Sequence, residues 1–213
     1  MKELNHIDRL IAQKLLRLKA FYVQTENPFT WANGWKSPIY FDDRKLLSYG
    51  YARNLIKMEL GHIITEFFPD VDVISGIAIN SIASGLLVAE QLYMPYIYIF
   101  PSPKTHGLEN QIEGDLRPRQ KVILIDNQIH GGNDALSSIE VIRNNACSVE
   151  AILSIFDLQL PSTVQKLKKT GVPVYALTNF NSVLQVAKEE KLFTTEEIHI
   201  LEQWHKAPSK WNN

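Results

Sequence analysis

Short apolar runs alternate with helical patterns between residues 71 and 177, and this alternation limits the chain to a small set of folds. The strand-like runs are rich in Val, Ile, Leu and Tyr, as in strands that helices cover on both faces. Such alternation predicts βαβ units and hence an α/β fold around a parallel sheet. The runs and helical patterns cover residues 71–78, 82–92, 95–100, 122–125, 135–143, 149–156, 163–169 and 172–177.

The first 45 residues differ in hydrophobic pattern and composition from this repeating part. Apolar residues at helical spacing over 7–18 predict an amphipathic helix, whereas 27–44 are interrupted by prolines and a glycine and are rich in aromatic residues. We expect an N-terminal helix and small hood over 1–45, and an α/β core with C-terminal helices over 46–213. Because the length is typical of one domain, both parts are assigned to a single domain over 1–213.

The composition restricts the partners and the location. Lys and Arg number 22 and Asp and Glu number 23, so the net charge is −1 and no nucleic-acid partner is expected. Cys147 is the single cysteine, so it has no partner within the chain for a disulfide, which favours a cytoplasmic location. The N-terminal residues carry charges and no run of about 18 apolar residues follows, so neither secretion nor a membrane partner is expected.

The most informative loop follows the apolar run at residues 122–125. The run leads into Asp126, and Gly131 and Gly132 form a turn before the next helical pattern begins. In a parallel sheet, ligands bind beyond the carboxyl ends of the strands, where this loop is expected. The N–H groups of such a turn and the helix N-terminus attract phosphate, while a carboxylate accepts hydrogen bonds from a ribose diol. The pattern therefore predicts a ligand loop.

Motifs over nearly the full length resemble the orotate phosphoribosyltransferase family. Residues 28–42, PFTWANGWKSPIYFD, are similar to the family's base-binding hood, and residues 106–114, HGLENQIEG, to the end of its mobile catalytic loop. The loop around Asp126 and the terminal segment at 204–211 also match. The resemblance implies a type I phosphoribosyltransferase fold, with a parallel five-stranded sheet flanked by helices and a small N-terminal hood, and it implies a homodimer.

The resemblance also implies a reaction and the residues that serve it. The family transfers phosphoribosyl from phosphoribosyl pyrophosphate to orotate, giving orotidine monophosphate and pyrophosphate, with Mg²⁺ bound through the substrate pyrophosphate rather than by protein ligands. Catalytic roles are implied for Asp126 at the ribose, and for Lys104 and His106 at the pyrophosphate. Substrate-binding roles are implied for Tyr40, Phe41, Asn127, His130, Gly131, Gly132, Asn133 and Asp134.

The phosphoribosyl pyrophosphate loop departs from the family pattern at several positions. Family members carry two adjacent acids, two apolar residues, two hydroxyl residues, two glycines and a final hydroxyl residue. This sequence has Asn127 in place of the second acid, and His130 and Gly131 in place of the hydroxyl pair. It has Asn133 in place of the second glycine and Asp134 in place of the final hydroxyl residue. An Asn brings no charge to stabilise an oxocarbenium ion, and Asp134 puts a negative charge where the phosphate is expected.

The mobile loop departs as well. Phe100 stands where family members carry an Arg, and Ser102 lies in the segment that follows it. Fewer counter-charges for the pyrophosphate leaving group raise the barrier to transfer. These departures keep open a second hypothesis, a catalytically inactive paralogue that acts as a nucleotide-binding or regulatory protein. A third hypothesis, a regulator that binds RNA or DNA, needs a basic face, for which Lys166, Lys168 and Lys169 are the close lysine cluster.

Overall fold

A computed structural model describes residues 4–31, 34–100, 102 and 110–211. Within these residues the helices are α1 (Leu4–Arg17), α2 (Gly50–Phe67), α3 (Ile82–Leu92), α4 (Asn133–Asn144), α5 (Pro161–Lys168), α6 (Phe180–Glu189) and α7 (Thr195–Lys206), with 3-10 helices at Asp43–Ser48 and Pro208–Lys210. The strands are β1 (Phe21–Val23), β2 (Phe29–Thr30), β3 (Lys36–Ser37), β4 (Ile39–Phe41), β5 (Val73–Ile77), β6 (Tyr96–Ile99), β7 (Ile112–Glu113), β8 (Lys121–Ile125), β9 (Gln128–Ile129), β10 (Ser148–Asp157) and β11 (Val174–Asn179). None of the helices described is long and apolar enough to span a bilayer.

The central sheet has the strand order β11-β10-β8-β5-β6-β7, and β9 pairs with β10. Strands β6, β5, β8 and β10 pair in parallel, as the alternation of apolar runs predicts. The predicted fold, a parallel five-stranded sheet flanked by helices, is confirmed, with β7 and β9 in addition. β7 runs antiparallel to β6, and β9 runs parallel to β10. Each of these two strands has two residues, too few to show a period in the sequence.

Residues Gly50–Leu177 form a compact unit around this sheet. Strand β5 is buried along its whole length, and in β8 every residue after Lys121 is buried. Helix α3 packs against β5 at close range, since a Cβ on Gly85 would lie 3.1 Å from the Cα of Gly76. A Cβ on Gly76 would in turn lie 2.6 Å from the carbonyl oxygen of Ser81. Glycine at both positions therefore lets the turn between β5 and α3 lie close against the sheet.

The described parts of Met1–Tyr49 and Thr178–Asn213 form a second compact unit. In it, β1 pairs with β4 and β2 pairs with β3, both antiparallel, and these small sheets with α1 correspond to the predicted hood. Helix α1 packs on α6, where the carboxylate of Asp8 accepts hydrogen bonds from the hydroxyls of Thr178 and Ser182, each at 2.6 Å. The single domain expected for the whole chain remains a prediction.

Candidate active site

The ligand loop expected from the sequence begins where β8 ends. Asp126 follows the strand directly, its backbone N–H donates to the carbonyl oxygen of Leu153 at 2.9 Å, and the residue is partly exposed. Gly132 precedes α4 with a φ of 73°, a left-handed conformation that glycine adopts at little cost. A Cβ there would also lie 3.0 Å from Cγ2 of Thr163. Strand, acidic residue, glycine turn and helix start are arranged as predicted.

The residues around this turn are largely accessible. His130, Asn133 and Asp134 are exposed, and Gly131 is partly exposed. Asn133 and Asp134 are the first two residues of α4, so the Asp134 carboxylate lies at the positive end of the helix dipole. A carboxylate there stabilises the helix, but it also repels a phosphate that approaches the same N–H groups. The substrate-binding roles implied for these four residues remain predictions.

A second loop, the turn at residues 78–81 between β5 and α3, lies against the start of the ligand loop. The backbone N–H of Asn127 donates to Oγ of Ser81 at 2.8 Å, and Nδ2 of Asn127 donates to the carbonyl oxygen of Asn80 at 2.9 Å. Asn127 is 3% exposed and Ser81 is 1% exposed, so the contact between them is buried, while the contact to the exposed Asn80 is partly buried. The peptide bond between Ala78 and Ile79 is cis, and the side chain of Ile79 is exposed.

Helix α5 supports the glycine turn and brings a cation to it. Thr163 donates from Oγ1 to the carbonyl oxygen of His130 at 2.6 Å, and Nζ of Lys166 lies 3.5 Å from Oδ1 of Asn133. Lys166 is therefore next to the N-terminus of α4, where a phosphate would bind. From the sequence, this lysine is noted only as part of the lysine cluster at 166–169. Its place beside the ligand loop was not predicted, because Asn133 is 33 positions away along the chain.

Asp157 ends β10 opposite Ile129 of β9, and it is 9% exposed. Burial raises the pKa of its carboxyl, and the N–H of Gln159, which donates to Oδ1 at 2.7 Å, opposes this rise. A carboxyl whose pKa is higher in the folded than in the unfolded chain stabilises the fold only at low pH. That stability is lost as the pH rises through the folded-state pKa.

Asp157→Asn keeps an acceptor for Gln159 and removes the buried charge. We expect it to raise the free energy of unfolding at pH 7 by on the order of 1 kcal/mol, and the gain to shrink toward pH 4. Urea unfolding of both proteins at the two pH values measures this difference. A gain that grows as the pH falls would contradict the assignment.

The other residues assigned from the resemblance lie elsewhere or outside the described ranges. Tyr40 and Phe41 end the hairpin strand β4 in the second unit, where Tyr40 is exposed with its ring 5.5 Å from that of Phe29, and Phe41 is buried. Lys104 and His106 lie outside the described residues. The roles of all four remain predictions.

The loop after β6 starts with an aromatic residue rather than a cation. The ring of Phe100 lies 5.7 Å from that of Tyr98, and its N–H donates to the carbonyl oxygen of Gln111 at 2.9 Å. Ser102 is exposed. Within the described ranges, no three His, Cys, Asp or Glu side chains are grouped so that they could hold a metal ion.

Comparisons with known proteins agree with this geometry. No family model matches the chain. Orotate phosphoribosyltransferase of Phocaeicola vulgatus is 42% identical over 205 residues, which cover 96% of this chain and 97% of the relative. The enzyme of that name from Streptococcus pyogenes is 36% identical over 201 residues, covering 94% of this chain and 96% of the relative.

Solved structures share the fold. Orotate phosphoribosyltransferase from Aeropyrum pernix superposes with a TM-score of 0.71 at 24% identity, covering 85% of this chain and 98% of that one. Adenine phosphoribosyltransferase from Leishmania tarentolae gives a TM-score of 0.62 at 16% identity, covering 81% of this chain and 88% of that one. The predicted type I phosphoribosyltransferase fold is confirmed. Because relatives at 42% identity match nearly its whole length, the chain belongs to the orotate phosphoribosyltransferase family.

Proposed function

We propose that this protein transfers a phosphoribosyl group from phosphoribosyl pyrophosphate to orotate, in pyrimidine biosynthesis. The observation that carries the proposal is the 42% identity, over 96% of the chain, to a protein named orotate phosphoribosyltransferase. In the reaction, the bond between C1 of the ribose and the pyrophosphate oxygen breaks, and pyrophosphate leaves with the electron pair. A bond from C1 to a ring nitrogen of orotate forms, and the proton that this nitrogen carried is lost to the departing pyrophosphate or to water, which gives orotidine monophosphate.

The ligand loop supplies binding and charge rather than a nucleophile. The carboxylate of Asp126 accepts hydrogen bonds from the ribose hydroxyls and faces the positive charge that develops on the ribose ring. The N–H groups at Gly131 and Gly132 and the N-terminus of α4 hold the 5′-phosphate. Positioning of the two reactants then accounts for much of the rate enhancement.

Magnesium enters this proposal with the substrate. Mg²⁺ is commonly held by one or two carboxylates together with substrate phosphates and water, so it needs no cage of protein ligands. The site is compatible with that mode, because Asp126 at the end of β8 is partly exposed and would hold the ribose, while the ion itself would be bound through the pyrophosphate oxygens. The ion would neutralise charge on the pyrophosphate. Lys104 and His106 would add positive charge there, and Tyr40 and Phe41 would hold orotate, as the resemblance implies.

The test is the loss of orotate absorbance when purified protein receives orotate, phosphoribosyl pyrophosphate and Mg²⁺. Turnover near a typical enzyme rate, about 10 per second, supports the proposal and means that the altered loops still serve catalysis. No turnover by folded protein, with a relative from Phocaeicola vulgatus active in the same assay, would overturn it in favour of an inactive paralogue that binds a nucleotide or regulates a partner.

Lys166 is expected to contribute to the binding of the 5′-phosphate, because it lies beside the N-terminus of α4. Lys166→Gln removes one charge-assisted hydrogen bond, so the Kd for phosphoribosyl pyrophosphate should rise about tenfold in calorimetry. Lys168→Gln is the matched control, since this lysine is on the same helix but points to a different side. Equal effects of the two substitutions would mean that only the overall charge matters.

We also propose a cytoplasmic homodimer. Helix α2 exposes apolar side chains on one side: Tyr51 is 55% exposed and Met58 is 47% exposed, and the partly exposed Leu55 lies between them at helical spacing. Such a stripe supports contact with a second subunit, and the single cysteine is in keeping with a reducing compartment. Light scattering that gives twice the chain mass of 24.4 kDa would support the dimer.

A further inference from the structure

Asn127 joins the two loops at the carboxyl ends of β5 and β8, and this contact suggests a role other than ligand binding. We propose that Asn127 is a positioning residue, which holds the turn at residues 78–81 against the end of β8, and that its side chain does not bind the ribose. The proposal rests on the function proposed above. Its test measures thermal stability and backbone hydrogen exchange, so its outcome does not depend on whether the protein turns over orotate.

The direction of the hydrogen bond carries the argument. The partner of the Asn127 side chain is the carbonyl oxygen of Asn80, which can only accept, so the Asn127 amide must donate through Nδ2. An ionised aspartate at this position could not donate. Its carboxylate would face another acceptor at about hydrogen-bond distance, in a place that is 3% exposed to water. The asparagine amide therefore suits this arrangement, and an ionised aspartate does not.

The contact reaches the start of α3 as well as the turn. Ser81, whose Oγ accepts from the Asn127 N–H, also donates its own N–H to the carbonyl oxygen of Ile77 at 3.0 Å. Its carbonyl oxygen accepts from the N–H of Gly85 at 2.9 Å, inside the first turn of α3. One buried serine thus links the end of β5, the start of α3 and, through Asn127, the end of β8.

This network sets the relative position of two loops before any ligand binds. The turn at 78–81 and the loop at 126–134 both open at the carboxyl ends of neighbouring strands, where ligands of parallel sheets bind. Loops held by buried hydrogen bonds lose less conformational freedom when a ligand arrives. Asn127 therefore prepares the site through its neighbours and acts without touching the substrate.

The test is Asn127→Asp, with Asn133→Asp as the matched control. Both substitutions add the same charge to the same loop, but Asn133 is exposed and Asn127 is buried. At pH 7.5 the Tm of Asn127→Asp should fall by roughly 5 °C relative to the wild type, because a carboxylate then faces the Asn80 carbonyl. Toward pH 4.5 the gap should close, because a protonated carboxyl can donate to that oxygen as the amide does. The wild type is measured at each pH as well, so each comparison is made at one pH.

A second measurement separates positioning of the turn from a general loss of stability. At pH 7.5 and well below the Tm, hydrogen exchange of backbone amides over residues 78–85 should become at least several-fold faster in Asn127→Asp, and stay as in the wild type in Asn133→Asp. Three results would overturn the proposal: a Tm equal to that of the wild type at every pH, a deficit that does not change with pH, or unchanged exchange in this turn. An Asn127→Asp protein that is fully stable and binds phosphoribosyl pyrophosphate more tightly would show instead that the side chain faces the ligand.

Discussion

Replacing Asp126 by asparagine is expected to lower orotate phosphoribosyl transfer by about 100-fold or more, while the protein stays folded. The substitution keeps the shape of the side chain and removes the negative charge at the end of β8, where the proposed mechanism needs it against the positive charge on the ribose ring. Loss of one preorganised electrostatic contact of this kind typically costs about 10²–10³ in kcat. The initial rate of orotate loss, with both substrates saturating, measures the effect.

Asp134→Asn is the control for this experiment, because it makes the same chemical change in the same loop at an exposed residue. It removes a carboxylate that repels the phosphate, so activity should stay at the wild-type level or rise. The cost to α4 is the loss of a favourable acid in its first turn, about 0.3–1 kcal/mol. If Asp126→Asn retains most of the activity, or if Asp134→Asn loses as much, Asp126 has no special role in transfer.

Trp204→Ala is expected to reduce the free energy of unfolding by about 3–5 kcal/mol, the usual cost of removing a large aromatic side chain from a core. Trp204 is fully buried, its ring meets that of Trp31 edge-on at 5.6 Å, and it lies 6.1 Å from the ring of Phe180. Its Nε1 donates to the carbonyl oxygen of Lys36 at 3.1 Å. One side chain thus joins α7, α6 and the hairpin strand β3. Urea unfolding followed by circular dichroism measures the loss without depending on tryptophan fluorescence.

Trp204→Phe separates packing from the hydrogen bond. A phenyl ring keeps much of the buried area and leaves the Lys36 carbonyl without this donor, so the expected cost is smaller, about 1–2 kcal/mol. If Trp204→Ala reduces the free energy of unfolding by less than about 1 kcal/mol, helix α7 contributes little to the stability of the second unit.

Much of the ligand loop could be predicted because its signals are local. An apolar run that leads into Asp126, a glycine turn and a helical pattern occupy consecutive positions, and each follows from the residue types themselves. The placement of Asn127 could not be read in this way. The family pattern marks its position for substrate binding, whereas the structure buries it against Asn80 and Ser81, which are 47 and 46 positions away. A hydrogen-bond partner at that separation is decided by how β5 and β8 pair.

By itself, the sequence determined the α/β class, the parallel sheet and the membership of a family. These features depend on hydrophobic periodicity and on short motifs, and both are properties of residues that are close together in the chain. Only the tertiary structure decided which distant groups meet. It placed Lys166 beside Asn133, packed helix α6 on α1 through Ser182 and Asp8, and added the two-residue strands β7 and β9 to the sheet. These contacts join residues with no shared local pattern, so their positions follow from the packing of whole elements against one another.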